Sequence, residues 1–204
     1  MPTLLHAAAA LRPARLDDTD PASELLSQAL PWLGPMCGLN QEARVQTLLH
    51  CLFAGAGNRL SFRYARVAQA ETRPAGLILT CPAARAPGLA LRTLWAAARA
   101  NGWPGLPRLL GGLRAFSRMH VCQGDEFHIA AWAVLPEYRG LGIGGQLLRY
   151  AERRAAECRL NKVSLVVEQH NGHALEMLRG MDYREVAVTR AAHFAFYHLV
   201  KTLG

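Results

Sequence analysis

Lysine is almost absent from this chain. Of 23 basic residues only Lys162 and Lys201 are lysines, and the rest are arginines. The arginines are spread along the chain and form no cluster, so the net charge of +8 does not read as the localised basic face of a nucleic-acid binder. A dispersed positive charge still suits a small anion or a phosphorylated cofactor. The five cysteines, Cys37, Cys51, Cys81, Cys122 and Cys158, are scattered, with no C-x-x-C among them. That favours neither a zinc site nor a disulfide framework and fits a reduced, cytoplasmic protein. His170 and His173 have no third ligand at metal spacing, so no metal site is expected. No run of about 18 apolar residues is free of charge, so no membrane span is indicated. The opening MPTLLHAAAALRPAR has no basic segment before its short apolar stretch. It reads as a loose tail over residues 1–10 and not as a signal peptide.

What is present is enough apolar material for one ordinary core, 51% of the chain, and a single domain over residues 11–204 is expected. Residues 11–16 (LRPARL) read as a short edge strand closed by the acidic turn DDTD. Residues 21–31 read as a helix with Asp20 as N-cap and Pro21 at the first helical position. Residues 40–54 carry Val45, Leu48, Leu49 and Leu52 at helical spacing. Residues 59–69 alternate Leu60, Phe62 and Tyr64 with Ser61, Arg63 and Ala65, the pattern of a half-buried strand, with residues 75–81 as its hairpin partner. Residues 82–121 read as an inserted helical section, with helices near 88–100 and 106–118 split by NGWPGLP. A packed helical hairpin and a lid or pocket wall are both open for it. Strand 126–135, helix 143–158 and strand 162–167 follow with short joints. This is a βαβ unit, so the two strands should be parallel with a right-handed crossover. A helix at 171–181 and an antiparallel hairpin from 183–189 and 191–200 complete the chain.

Four glycines, Gly140, Gly142, Gly144 and Gly145, crowd the mouth of the helix at 143. A helix N-terminus offers unpaired N–H groups and the positive end of its dipole. Glycine lets the backbone turn left-handed and lets an anion approach closely. The loop therefore has the design of a phosphate seat. It is not a dinucleotide fingerprint, since 140–145 reads G-x-G-x-G-G and lies beyond mid-chain. It is not a Walker loop, since no G-K-S/T follows.

VLPEYRGLGIG at 134–144 resembles the acetyl-CoA loop of the GNAT superfamily of N-acetyltransferases, whose signature is Q/R-x-x-G-x-G/A. Arg139, Gly142 and Gly144 fill it, and Val134, Pro136 and Tyr138 match the strand exit V-x-P-x-Y. LRPARLDD resembles the first strand and turn of that superfamily. Leu165, Val166, Val167 and Glu168, followed by Asn171 and Ala174, resemble its fifth strand and next helix. The resemblance spans residues 11–81 and 125–200. It implies an α/β (α+β) fold: a mixed, mostly antiparallel central sheet flanked by helices, with one parallel splayed strand pair, here carrying a helical insertion. It implies acetyl-CoA as cosubstrate. The amides of Gly140, Leu141, Gly142, Ile143, Gly144 and Gly145 would hold the pyrophosphate, with charge from Arg139. The pantetheine arm would lie along Ala133, Val134 and Leu135, touching Asn171. The backbone amide of Trp132 would bond the thioester carbonyl.

The resemblance also marks departures. The tyrosine that many members use as general acid falls at Leu178, the usual glycine at Asp182, and a core aromatic position at Tyr183. On strand four, Ala130 and Ala131 stand where an acid is common. The base candidates are His128, Glu126 on the same face by alternation, and Glu168 just past strand five. The activity implied is acetyl transfer to a primary amine by direct attack in a ternary complex. The acceptor is a small molecule or a protein N-terminus or lysine. No nucleic-acid or membrane partner is expected, and a homodimer is an open assembly. The competing reading is a catalytically degenerate acyl-CoA-binding module, sensory or structural, suggested by Leu178 and the alanine pair.

Overall fold

The computed structural model describes residues 9–39, 41–70, 73–85, 88–89, 92–93, 95, 124–191 and 193–204. Among these, seven strands form one sheet: β1 (Ala10–Pro13), β2 (Ala65–Ala70), β3 (Arg73–Pro82), β4 (Glu126–Val134), β5 (Lys162–Glu168), β6 (Arg184–Ala191) and β7 (Phe194–Thr202). The spatial order is β1-β2-β3-β4-β5-β7-β6. Neighbours run antiparallel except β4 and β5, which the helical crossover between them makes parallel. This is the mixed α+β sheet with one parallel pair that the sequence implied.

Helices cover both faces. On one side lie α1 (Thr19–Ala29), the single turn α2 (Leu33–Met36) and α3 (Glu42–Ala54), which bury Leu25, Leu26, Leu48, Leu49, Leu52 and Phe53 against Val67, Leu77 and Leu79. On the other lie α4 (Ile143–Glu157) and α5 (Gly172–Arg179). In α4, Ile143, Leu147, Ala151 and Ala155 repeat every fourth residue, with Leu148 beside them, and all are buried against Ile78, Phe127, Ile129, Val163 and Leu165. Each buried Leu or Ile contributes about 1.5–3 kcal/mol. The central strands are apolar on both faces because both are covered. No described helix is long and apolar enough to cross a membrane.

Two local expectations change. Helix α1 starts at Thr19, with Asp18, not Asp20, at the N-cap position. Asp18 does not cap; its carboxylate accepts from Arg12 Nη1 and Nη2 at 2.7 and 2.6 Å and from the Arg15 amide at 2.7 Å, pinning α1 to β1. Residues 59–64 do not form a strand, and β2 begins at Ala65. Asn58 donates to Leu52 O and accepts from Leu60 N–H, and Ser61 Oγ accepts from Arg63 N–H. These side chains satisfy the backbone locally and curl it into a 3-10 turn at Phe62–Tyr64. The two helices expected near 88–100 and 106–118 lie outside the described residues, apart from isolated positions, as do residues 1–8 of the tail.

Candidate active site

The parallel ladder between β4 and β5 is short. It pairs Glu126 with Lys162 and ends at Ile129 with Leu165, although β4 runs on to Val134 and β5 to Glu168. The cause is on the other side of β4. There Leu79 pairs with Ala131 but Thr80 with Ile129, leaving Ala130 as an extra bulged residue. A bulge bends its strand and sharpens the twist. Beyond it the two parallel strands diverge, and a cleft of about 460 Å³ opens between them.

The bulge also resets which way side chains and amides point. Ala130, Ala131 and Ala133 pack with the α1 face, whereas Trp132 and Val134 pack with the α4 face. The Leu135 amide donates to Ala75 O at 2.9 Å. Antiparallel pairing alternates, so Ala131 and Ala133 also bond β3, while the N–H and C=O of Trp132 and Val134 turn toward the gap. The Trp132 ring forms a wall, its Nε1 donating to Gly144 O at 3.2 Å.

The glycine loop closes one end of the cleft. Gly140 and Gly142 have φ of 78° and 77°, a left-handed conformation that costs a residue with a Cβ about 1–2 kcal/mol. Neither has any atom within 4 Å of where a Cβ would stand, so conformation and not space calls for glycine there. Gly144 differs: a Cβ would lie 3.0 Å from Trp132 Cζ2 and 3.0 Å from Met177 Cε. The loop thus presents bare backbone and the start of α4 to the cleft, and the residues fit a bound phosphate.

Of the residues singled out from the sequence, Trp132, Ala133, Val134, Arg139, Gly140, Gly142, Ile143, Gly144 and Asn171 line this cleft. Leu135 is buried beside it, Leu141 is exposed, and Gly145 is packed under Arg149. The Arg139 guanidinium spans the mouth, its Nε donating to Val134 O at 3.1 Å and its Nη2 to Gln28 Oε1 of α1 at 3.3 Å. Asn171 is both lining and cap, its Oδ1 accepting from the Ala174 amide at 3.2 Å.

His128 and Glu126 are not brought to the cleft. They precede the bulge, where the ladder with β5 is still closed, and are 0% and 2% exposed. His128 Nδ1 lies 3.3 Å from Ser164 Oγ. Glu126 Oε2 lies 3.4 Å from His198 Nε2 of β7. Burial holds the His198 imidazole below its ordinary value, with the Glu126 carboxylate pulling the other way. Glu168, by contrast, does line the cleft, with His170 Nδ1 3.8 Å from its Oε1. Leu178 is fully buried on the inner face of α5. Asp182 has φ of 66°, which accounts for the glycine usual at that position.

Sequence reasoning did not single out the residues that the end of α1 and the turn after it send to the cleft: Gln28, Leu30, Pro31 and Trp32. Trp32 stacks edge-on against Phe196 of β7, centroids 5.5 Å apart at 80°. That pairing is distant along the chain and leaves no local pattern. Tyr138, which also lines the cleft, was already visible in the strand-exit motif.

Residues 66–183 match the sequence profile of the Acetyltransferase (GNAT) family. The chain belongs to that family. A search of curated proteins finds no match. Solved structures of the same fold include an N-acetyltransferase from Staphylococcus aureus Mu50, 18% identical, with a TM-score of 0.76 over 95% of this chain and 100% of that one. A Drosophila melanogaster polyamine N-acetyltransferase is 15% identical, with a TM-score of 0.60 over 95% and 99% of the two chains. The PaiA N-acetyltransferase from Thermoplasma acidophilum, solved with coenzyme A, is 12% identical, with a TM-score of 0.55 over 95% and 98%. At these identities the structures establish the GNAT fold, and the family establishes acetyl transfer as the activity in general.

Proposed function

We propose that this GNAT chain transfers the acetyl group of acetyl-CoA to a primary amine by direct attack in a ternary complex. The observation that carries the reading is the end of the β4–β5 ladder at Ile129 and Leu165, opening directly beside the left-handed Gly140–Gly142 loop. When bound, acetyl-CoA supplies an activated thioester. The amides of residues 140–145 hold its pyrophosphate, and Arg139 adds positive charge at the same edge. Trp132 and Val134 bond the extended arm as a neighbouring strand would, and Asn171 contacts it from α5. The Trp132 N–H donates to the carbonyl oxygen as negative charge gathers there.

The amine needs a proton acceptor, and His128 and Glu126 stand behind the closed ladder. Glu168 is the candidate base that lines the cleft. The ammonium gives one proton to Glu168, and the freed lone pair forms the N–C bond. The C–S bond breaks with its electrons on sulfur. The second nitrogen proton leaves through solvent, and the thiolate is protonated from the same solvent, since Leu178 offers no acid.

The test is a coupled measurement of acetyl-CoA binding by tryptophan quenching and of free thiol release across a panel of amines, with the acetylated product identified by mass. Thiol release that depends on amine supports the proposal. Binding without release from any amine would favour the non-catalytic acyl-CoA module instead.

A further inference from the structure

The cleft carries few charged side chains. Among the described lining residues Glu168 is the only carboxylate and Arg139 the only guanidinium. Glu168 pairs directly across from Phe196 in the β5–β7 ladder, so the two share the α1 face of the sheet. Phe196 is fully buried there, with Trp32 edge-on to it and Phe194 at 6.2 Å between centroids. Trp32 and the preceding Leu30 and Pro31 line the cleft from the turn between α1 and α2. One negative charge therefore stands at the lip of an aromatic and aliphatic wall.

We infer that the acceptor is an aromatic monoamine, a primary ammonium joined by a short linker to a flat apolar group. The inference rests on the acetyltransferase reading above. The ammonium pairs with Glu168, and the apolar group packs against Trp32, Leu30 and Pro31. A ring face against a ring edge is a favourable contact, and burying the ring removes apolar surface from water. A polyamine or a guanidino-amine brings a second cation to the far end of the molecule. No second carboxylate among the described lining residues meets it, and Arg139 repels it. Glu168 thus both selects the acceptor and takes its proton.

The experiment compares 2-phenylethylamine, agmatine and spermidine as acceptors for the full-length protein, with acetyl-CoA binding followed separately. Wild type is expected to show kcat/KM for 2-phenylethylamine at least about tenfold above that for either multiply charged amine. In Glu168→Gln the KM for 2-phenylethylamine rises about tenfold to a hundredfold, the range lost with one charge-assisted hydrogen bond, while the KM for acetyl-CoA stays unchanged. The uncharged analogue 2-phenylethanol inhibits wild type and E168Q equally, because the wall is intact in both. A preference for agmatine or spermidine, no turnover of 2-phenylethylamine, or an unchanged amine KM in E168Q overturns the inference. If acetyl-CoA binds and another amine is acetylated, the function stands and the acceptor class falls. If acetyl-CoA does not bind, both fall.

Discussion

Two glycines only a helical half-turn apart should fail in different ways when each is replaced by alanine. Gly142 sits left-handed at the start of α4 with open space around it. Gly142→Ala therefore forces an L-residue into that conformation and should cost about 1–2 kcal/mol of stability. Gly144 is helical, so alanine there gains about 0.8–1 kcal/mol of helix propensity. Its new Cβ would stand 3.0 Å from the Trp132 ring, against 3.4–4 Å for ordinary contact, so the ring must move by several tenths of an ångström. The Nε1 bond to Gly144 O, 3.2 Å long, then weakens at a cost of about 1 kcal/mol. The two terms cancel, and Gly144→Ala should fold about as well as wild type. Trp132 is a wall of the cleft, however, so its displacement should weaken acetyl-CoA binding by about tenfold, or about 1.4 kcal/mol. Urea midpoints read the first quantity and tryptophan quenching by acetyl-CoA reads the second. If Gly144→Ala binds with wild-type affinity, or Gly142→Ala keeps wild-type stability, the assignment of one glycine to close packing and the other to backbone conformation is wrong.

Two further predictions concern titratable groups that hold the fold. Asp18→Asn removes the carboxylate that accepts two bonds from Arg12 and one from Arg15, and should lower stability by about 1–3 kcal/mol in a urea titration. The Arg12 guanidinium holds the Asp18 carboxyl below the usual range, so in wild type this contribution is present above about pH 3.9 and is lost as pH falls through the folded-state value. His198 acts higher on the pH scale: burial lowers its affinity for a proton, so the unfolded chain takes the proton first. Its share of stability is complete above about pH 6.5 and declines as pH drops below that. Thermal melts between pH 7.5 and 5.5 should show this fall, and His198→Gln should make it shallower; an equal slope in both proteins would remove His198 as its source.

The features the sequence determined are contiguous ones. The strand exit, the glycine loop and the opening of α4 all lie within residues 134–148, where each residue's role depends on its neighbours in the chain. The same holds for the parallel pair, because a strand, a helix and a strand with short joints admit one crossover hand. The departure at Leu178 and Asp182 was readable against the family pattern, whereas the positive φ of Asp182 came with the structure. The expected strand at 59–69 failed in its first half because Asn58 and Ser61 satisfy the backbone with their own side chains, a competition that alternation does not register. Tertiary structure decided the rest. The bulge at Ala130 exists only in the pairing of β4 with β3, yet it sets where the cleft begins and turns Trp132 to its wall. It leaves Glu126 and His128, which alternation places on one face, behind the closed ladder. Trp32 meets Phe196, and both stand near Glu168, only because α1 packs across strands that come much later in the chain. A cofactor loop is a short-range pattern, whereas an acceptor pocket is a meeting of distant residues, and only the folded chain brings those together.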